Sequence, residues 1–100
     1  MPQITAFRHP ALGPLLRLTD LFNAPVVLNA AEATTIARAL DAVRLGKSSE
    51  TEIYLSPIAS DHDFQALVDK DGVTCGEIHL DWPQVAELAL LLRGDDGDNR

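Results

Sequence analysis

Val26-Val27-Leu28-Asn29, followed by Glu32, Ala33, Ile36, Ala37 and Leu40, has a counterpart fifty-two positions further on: Ile78-His79-Leu80-Asp81, followed by Gln84, Val85, Leu88, Ala89 and Leu92. Each stretch is a short β-type run, then a side chain able to cap a helix. An acid or amide follows three positions later, and apolar residues then recur at helical spacing. A capping residue and its partner at the third helical position satisfy N–H groups that no intrahelical carbonyl reaches. The two stretches therefore predict two strand-to-helix junctions, with Asn29 and Asp81 as the caps. Pro83 suits the first turn of the second helix, and Gly46 and Gly94 supply stops. The shared pattern is the one any such junction needs, and it does not by itself establish an internal duplication.

Working outward, Thr51 to Ser56 alternates. Ile53 and Leu55 point one way, Glu52 and Tyr54 the other, and Pro57 closes the strand because proline cannot donate to a sheet ladder. Phe64 to Val68 and Val73 to Leu80 flank Asp69-Lys70-Asp71-Gly72, a hairpin signal. A three-residue turn through Lys70-Asp71-Gly72 sets Phe64 opposite Ile78 and keeps one face apolar, whereas a two-residue turn through Asp71-Gly72 sets Phe64 opposite His79 and mixes core with solvent. That register also places Asp63 across from His79 and Gln65 across from Glu77. Upstream, Pro2 and Pro10 predict irregular chain over residues 1 to 10. Gly13-Pro14 then opens a helix with Leu15, Leu18, Leu21 and Phe22 on one stripe.

The expected fold is α+β: a small, mainly antiparallel sheet of three to four strands with two or three helices on one face, in the order α-β-α-β-β-β-α. The run 26–28 is expected at the sheet edge, parallel to 51–56 through a right-handed crossover. Residues 1–94 read as one domain, and 95–100 as an acidic, disordered tail.

The chain has 100 residues, of which 46% are hydrophobic. That length can bury roughly two-thirds of the unfolded surface, enough for a core without disulfides or metals. Fifteen acids against eight bases give a formal charge of −7. Nucleic acid and anionic membranes repel such a surface, so no direct nucleic-acid or membrane partner is expected. A basic protein, or a nucleic-acid-binding protein whose groove expects phosphates, is attracted. Cys75 is the single cysteine, which excludes an intramolecular disulfide. The first residues lack the apolar run of a signal peptide, and the expected location is cytoplasmic. Six arginines against two lysines, with abundant alanine and leucine, fit a bacterial source.

Chemistry-bearing patterns are sparse. Asp61-His62-Asp63 with Glu77, His79 and Asp81 is the densest titratable cluster, yet a metal site needs three or four convergent ligands. Cys75 has no basic neighbour to activate it. The expectation is no catalytic residue, no cofactor and no metal. Apolar surplus points elsewhere: the last helix is hydrophobic around most of its girth, leaving Leu90 and Leu91 to be covered by the 15–22 segment, by a second copy, or by a partner. Leu67 and Cys75 are expected to place an apolar spot on the otherwise polar face of the hairpin, near Tyr54; Leu90, Leu91, Tyr54, Leu67, Asp63, Glu77 and His79 make up the candidate partner-binding set. The leading expectation is a small acidic non-enzymatic protein-interaction module, an accessory subunit or regulator with a homodimer in view. The alternatives are an acidic inhibitor of a nucleic-acid-binding machine, of antirestriction or anti-CRISPR type, and a small metal-dependent enzyme. The residues carry no resemblance to a known family.

Overall fold

The computed structural model describes residues 1–94, so the tail expected over 95–100 lies outside the described residues. Seven strands and two helices follow in the order β1 (Gln3–His9), β2 (Gly13–Thr19), β3 (Val26–Leu28), α1 (Ala30–Arg44), β4 (Glu52–Leu55), β5 (Phe64–Asp69), β6 (Gly72–Cys75), β7 (Ile78–Asp81) and α2 (Trp82–Arg93). They form two antiparallel sheets, β1-β2-β3 and β4-β5-β6-β7. The class is α+β, but with two sheets where one was expected. The expected order α-β-α-β-β-β-α fails at its first element and in its strand count.

Both junctions form as the side chains dictate. The Glu32 N–H donates to Asn29 Oδ1 (2.7 Å) while Glu32 Oε1 accepts from the Asn29 N–H (2.8 Å). At α2 the Gln84 N–H donates to Asp81 Oδ1 (3.0 Å) and Gln84 Oε1 accepts from the Asp81 N–H (2.9 Å). Each box satisfies two N–H groups at once. Ala33, Ile36, Ala37, Leu40 and Val43 of α1, and Val85, Leu88, Ala89 and Leu92 of α2, are buried on the expected stripes.

The two helices pack on each other and bridge the sheets, with α1 touching β2, β3 and β4 while α2 touches β1, β6 and β7. One hydrophobic cluster runs through all of it, from Leu18, Val26 and Leu28 to Ile53, Phe64, Ala66, Val73 and Leu80. At one end of the helix pair, Asp41 accepts from both Arg44 and Arg93. The Arg44 pair lies within α1, and the Arg93 pair ties α2 to α1.

The predicted helix over residues 13 to 22 is a strand. Leu16 and Leu18 of β2 pair with Leu28 and Val26 of β3, and Ile4 pairs with Leu18 from the other side. Leu15, Leu18 and Leu21 stand at helical spacing, and leucine is a weak strand former. Pairing on both flanks overrides that preference. Pro10 does not block β1, because it sits in the β1–β2 turn, where His9 Nδ1 accepts from the Ala11 and Leu12 N–H groups. Pro14 is tolerated because β3 reaches only residues 16–18 of β2. The run 26–28 therefore joins its own sheet, antiparallel to β2, and is not parallel to β4.

The hairpin register is also corrected. Asp69 pairs with Gly72 across a two-residue turn, Lys70-Asp71, in which Asp69 Oδ1 accepts from the Asp71 N–H (2.7 Å). Gly72 adopts φ 153°, and a Cβ there would stand 1.9 Å from the Leu80 carbonyl oxygen. The expected register treated 73–80 as one strand, but Gly76 (φ 60°) turns the chain and Cys75 pairs with Ile78. That turn shifts the alternation by one: Ile78, opposite Cys75, stays on the side of Val73 and Phe64 but stands at the end of the edge strand β7. Phe64 is fully buried and pairs with Leu55, whereas Ile78 is 38% exposed.

A topological recurrence extends upstream of the two junctions. In each half, a three-stranded meander ends in a short strand that feeds a capped helix: β1-β2-β3-α1, then β5-β6-β7-α2. Strand β4 is added at the edge of the second meander.

Candidate functional site

The inner face of the four-stranded sheet is closed by the helices, which leaves its other face open. Cross-strand partners share a face, so the pairs Glu52–Leu67, Tyr54–Gln65, Leu67–Thr74 and Thr74–His79 place these side chains together on that outer surface. Tyr54 is 58% and Leu67 51% exposed. On the diagonal of an antiparallel pair they lie within reach of each other.

Polar contacts order this surface. Asp63, just before β5, accepts from the Tyr54 hydroxyl and from Ser56 Oγ (2.9 Å). The Tyr54 hydrogen bond, then that of Ser56, holds the Asp63 carboxyl below its ordinary range, and the same Asp63 contact raises the Tyr54 phenol. A phenol so held is a poor base or nucleophile at neutral pH. Gln65 Nε2 donates to Glu52 Oε2 (2.5 Å). His79 Nε2 lies 3.3 Å from Asp69 Oδ2. The Asp69 carboxyl is held low chiefly by the Asp71 N–H, with His79 adding to the effect.

The expected opposition of Asp63 to His79, and of Gln65 to Glu77, does not occur. His79 faces Thr74 and reaches Asp69, Gln65 faces Tyr54, and Asp63 meets Tyr54. The seven candidate residues consequently divide into three places. Tyr54, Leu67, Asp63 and His79 belong to the outer surface of the sheet. Glu77 sits at the β6–β7 turn, at the end of that surface. Leu90 and Leu91 lie on α2, on the other side of the sheet; Leu91 is half-buried, and Leu90 is 47% exposed. The second cover for α2 is α1, not the 15–22 segment.

Charge divides between the halves of the chain. Residues 1–47 carry three acids and five bases, whereas residues 48–92 carry nine acids with Lys70 as their one base. The second half includes the four-stranded sheet and most of α2. No three His, Cys, Asp or Glu side chains converge as metal ligands among the described residues. Cys75 is fully buried, and burial pushes its thiol up to about 12.

Sequence reasoning missed a cleft of about 470 Å³ at the end of this sheet, lined by Leu21, Phe22, Asn23, His62, Gln65, Gly76, Glu77 and Ile78. It lies where the β2–β3 connection, the β4–β5 loop and the β6–β7 turn meet. Asp20, in a left-handed conformation (φ 62°), turns the chain so that Leu21 enters the core. Phe22 packs edge-on to Phe64 at 5.5 Å and against His62 at 5.2 Å. The β4–β5 loop is fixed from outside the sheet. Ser60 Oγ accepts from the Val27 N–H (3.0 Å) and donates to the His62 carbonyl (2.6 Å), and Glu32 Oε2 accepts from the Ile58 N–H (3.0 Å). A glycine within an apparent strand, Gly76, was the one local sign of this geometry.

No protein-family model matches this chain, and no curated protein or solved structure matches it.

Proposed function

We propose that this chain is a small non-enzymatic protein-interaction module that docks a basic partner on the outer surface of the four-stranded sheet. The observation that carries the reading is that Tyr54 and Leu67, both more than half exposed, are diagonal neighbours across β4 and β5 on a surface whose charged neighbours are mostly acids. An aromatic and an aliphatic anchor inside a polar rim is the usual anatomy of an interface. The rim acids Glu52, Asp63 and Asp69 steer a cationic partner and disfavour an anionic one.

Self-association through α2 is the weaker reading, since Leu90 remains as its one well-exposed anchor. Burying the rest of that side chain contributes roughly 1 kcal/mol per subunit, below the association cost of about 4 kcal/mol or more. The metal-dependent enzyme is supported by no ligand geometry among the described residues.

The test is affinity capture from the source cells with the wild-type chain, Leu67→Glu and Leu90→Glu, at low and at raised salt. A partner held by the wild type and by Leu90→Glu, lost with Leu67→Glu and weakened by salt, is the expected result. Equal capture by all three chains refutes the docking surface. The concentration of acids in residues 48–92 also favours the second reading, an acidic inhibitor of a nucleic-acid-binding machine. Displacement of the captured partner by duplex DNA separates that reading from a generic module.

A further inference from the structure

We infer that the cleft bounded by Phe22, His62, Gly76 and Glu77 takes the guanidinium group of an arginine presented by a basic partner segment. This rests on the interaction reading, and it assigns the partner a specific residue. At about 470 Å³ the cleft is within the size range of small-ligand sites.

Its floor is apolar, made by Leu21, Phe22 and Ile78. The Phe22 ring is held between His62 and Phe64 and does not need to be ordered on binding. Gly76 adopts a left-handed φ of 60°, and a Cβ there would make ordinary van der Waals contact with Phe22 Cδ1 at 3.6 Å, so the glycine leaves that edge of the ring uncovered.

The polar rim offers acceptors. His62 Nδ1 lies 2.7 Å from the Asp63 carbonyl oxygen, which can only accept, so Nδ1 carries the proton and Nε2 of the neutral ring is an acceptor. Gln65 spends its Nε2 on Glu52, leaving its carbonyl oxygen as an acceptor. Glu77 is exposed and joins none of the ion pairs among the described residues. A rim of acceptors around aromatic rings calls for a planar cation rich in donors. Guanidinium has five N–H groups, no acceptor, and a face that stacks on rings. Ammonium brings fewer donors and no plane, and an anion is opposed by Glu77. Gln65 also lies beside Tyr54 on the outer surface, so one extended basic segment can span both.

The test is heteronuclear NMR on the isotope-labelled full chain, titrated with L-arginine amide, L-lysine amide, L-citrulline amide and a poly-arginine peptide. Saturable shifts at Phe22, His62, Gly76 and Glu77 are expected with arginine amide, at a dissociation constant on the order of 1 mM. Binding should weaken with lysine amide and vanish with citrulline amide. Glu77→Gln, at an exposed position that leaves the fold intact, should lower the affinity roughly three- to fivefold. Citrulline amide binding as well as arginine amide, or shifts that avoid the cleft, overturns the assignment. The peptide should bind more tightly than the free amide; the reverse order means that the cation is a small molecule and overturns the partner segment. Peptide shifts at Tyr54 and Leu67 without the cleft refute this site and leave the docking surface standing. Shifts confined to the cleft refute the docking surface and support the site.

Discussion

Glu32 serves two partners, and its counterpart Gln84 serves one. Oε1 of Glu32 closes the cap of α1 on the Asn29 N–H, while Oε2 reaches across to the Ile58 N–H in the β4–β5 loop. Gln84 closes only the cap of α2. Hydrogen bonds to a charged group contribute about 1.5–3 kcal/mol when buried and less in water, so about 1 kcal/mol suits each of these half-exposed bonds. The negative charge in the first turn of α1 adds roughly 0.5 kcal/mol. Glu32→Ala should therefore cost about 2–3 kcal/mol, against about 1 kcal/mol or less for Gln84→Ala. For a chain of this size that is a loss of roughly 8–24 °C in melting temperature against at most about 4–8 °C.

Glu32→Gln separates the two roles. Its amide oxygen keeps the cap, but its NH₂ then faces the Ile58 N–H, two donors in opposition. Urea unfolding followed by circular dichroism gives the stabilities, and amide hydrogen exchange at Ile58 reports the tether. Glu32→Gln should lose roughly 1 kcal/mol and speed exchange at Ile58. The reasoning fails if exchange at Ile58 is unchanged in Glu32→Gln, or if Glu32→Ala costs no more than Gln84→Ala.

Tyr54 is the only tyrosine, so its phenolate absorbance titrates one group; the midpoint should lie above the ordinary 10.0 and fall toward it in Asp63→Asn. Because folding lowers the Asp63 pKa, the stability advantage of the wild type over Asp63→Asn is full above the ordinary 3.8 and shrinks as pH falls below it, as acid titration of the unfolding midpoint will show. Cys75 should resist a thiol reagent at pH 8 until denaturant is added, and stoichiometric labelling of the native chain contradicts its burial. Gly72→Ala drives a Cβ against the Leu80 carbonyl and should destabilise by about 3 kcal/mol or more, measured by urea unfolding; a loss under about 1 kcal/mol rejects the turn geometry.

What could be read in advance divides along the range of the interaction. The caps at Asn29 and Asp81 and the inner stripes of both helices were legible, because each depends on side chains three or four residues apart. The exposure of Tyr54 and Leu67 followed from simple alternation. Strand partners were not legible. Leu15, Leu18 and Leu21 fit a helical stripe, and only the flanking strands β1 and β3 make residues 13–19 extended. The hairpin register depended on whether 73–80 is one strand, and the left-handed Gly76 decided that it is not. The cleft was least accessible of all. Phe22, His62 and Gly76 come from three connections far apart in the chain and meet only once both sheets are in place.

The unequal division of charge gives the molecule an electrical axis. With the acids concentrated in one half and the excess of bases in the other, a charged partner exerts a torque as well as a pull, turning the protein during approach. Encounters are then pre-aligned before any side chain touches, and the fraction of productive collisions rises. At physiological ionic strength this guidance extends about 8 Å from the surface. Its reach is set by dissolved salt, so the speed of recognition can be tuned without altering a single contact.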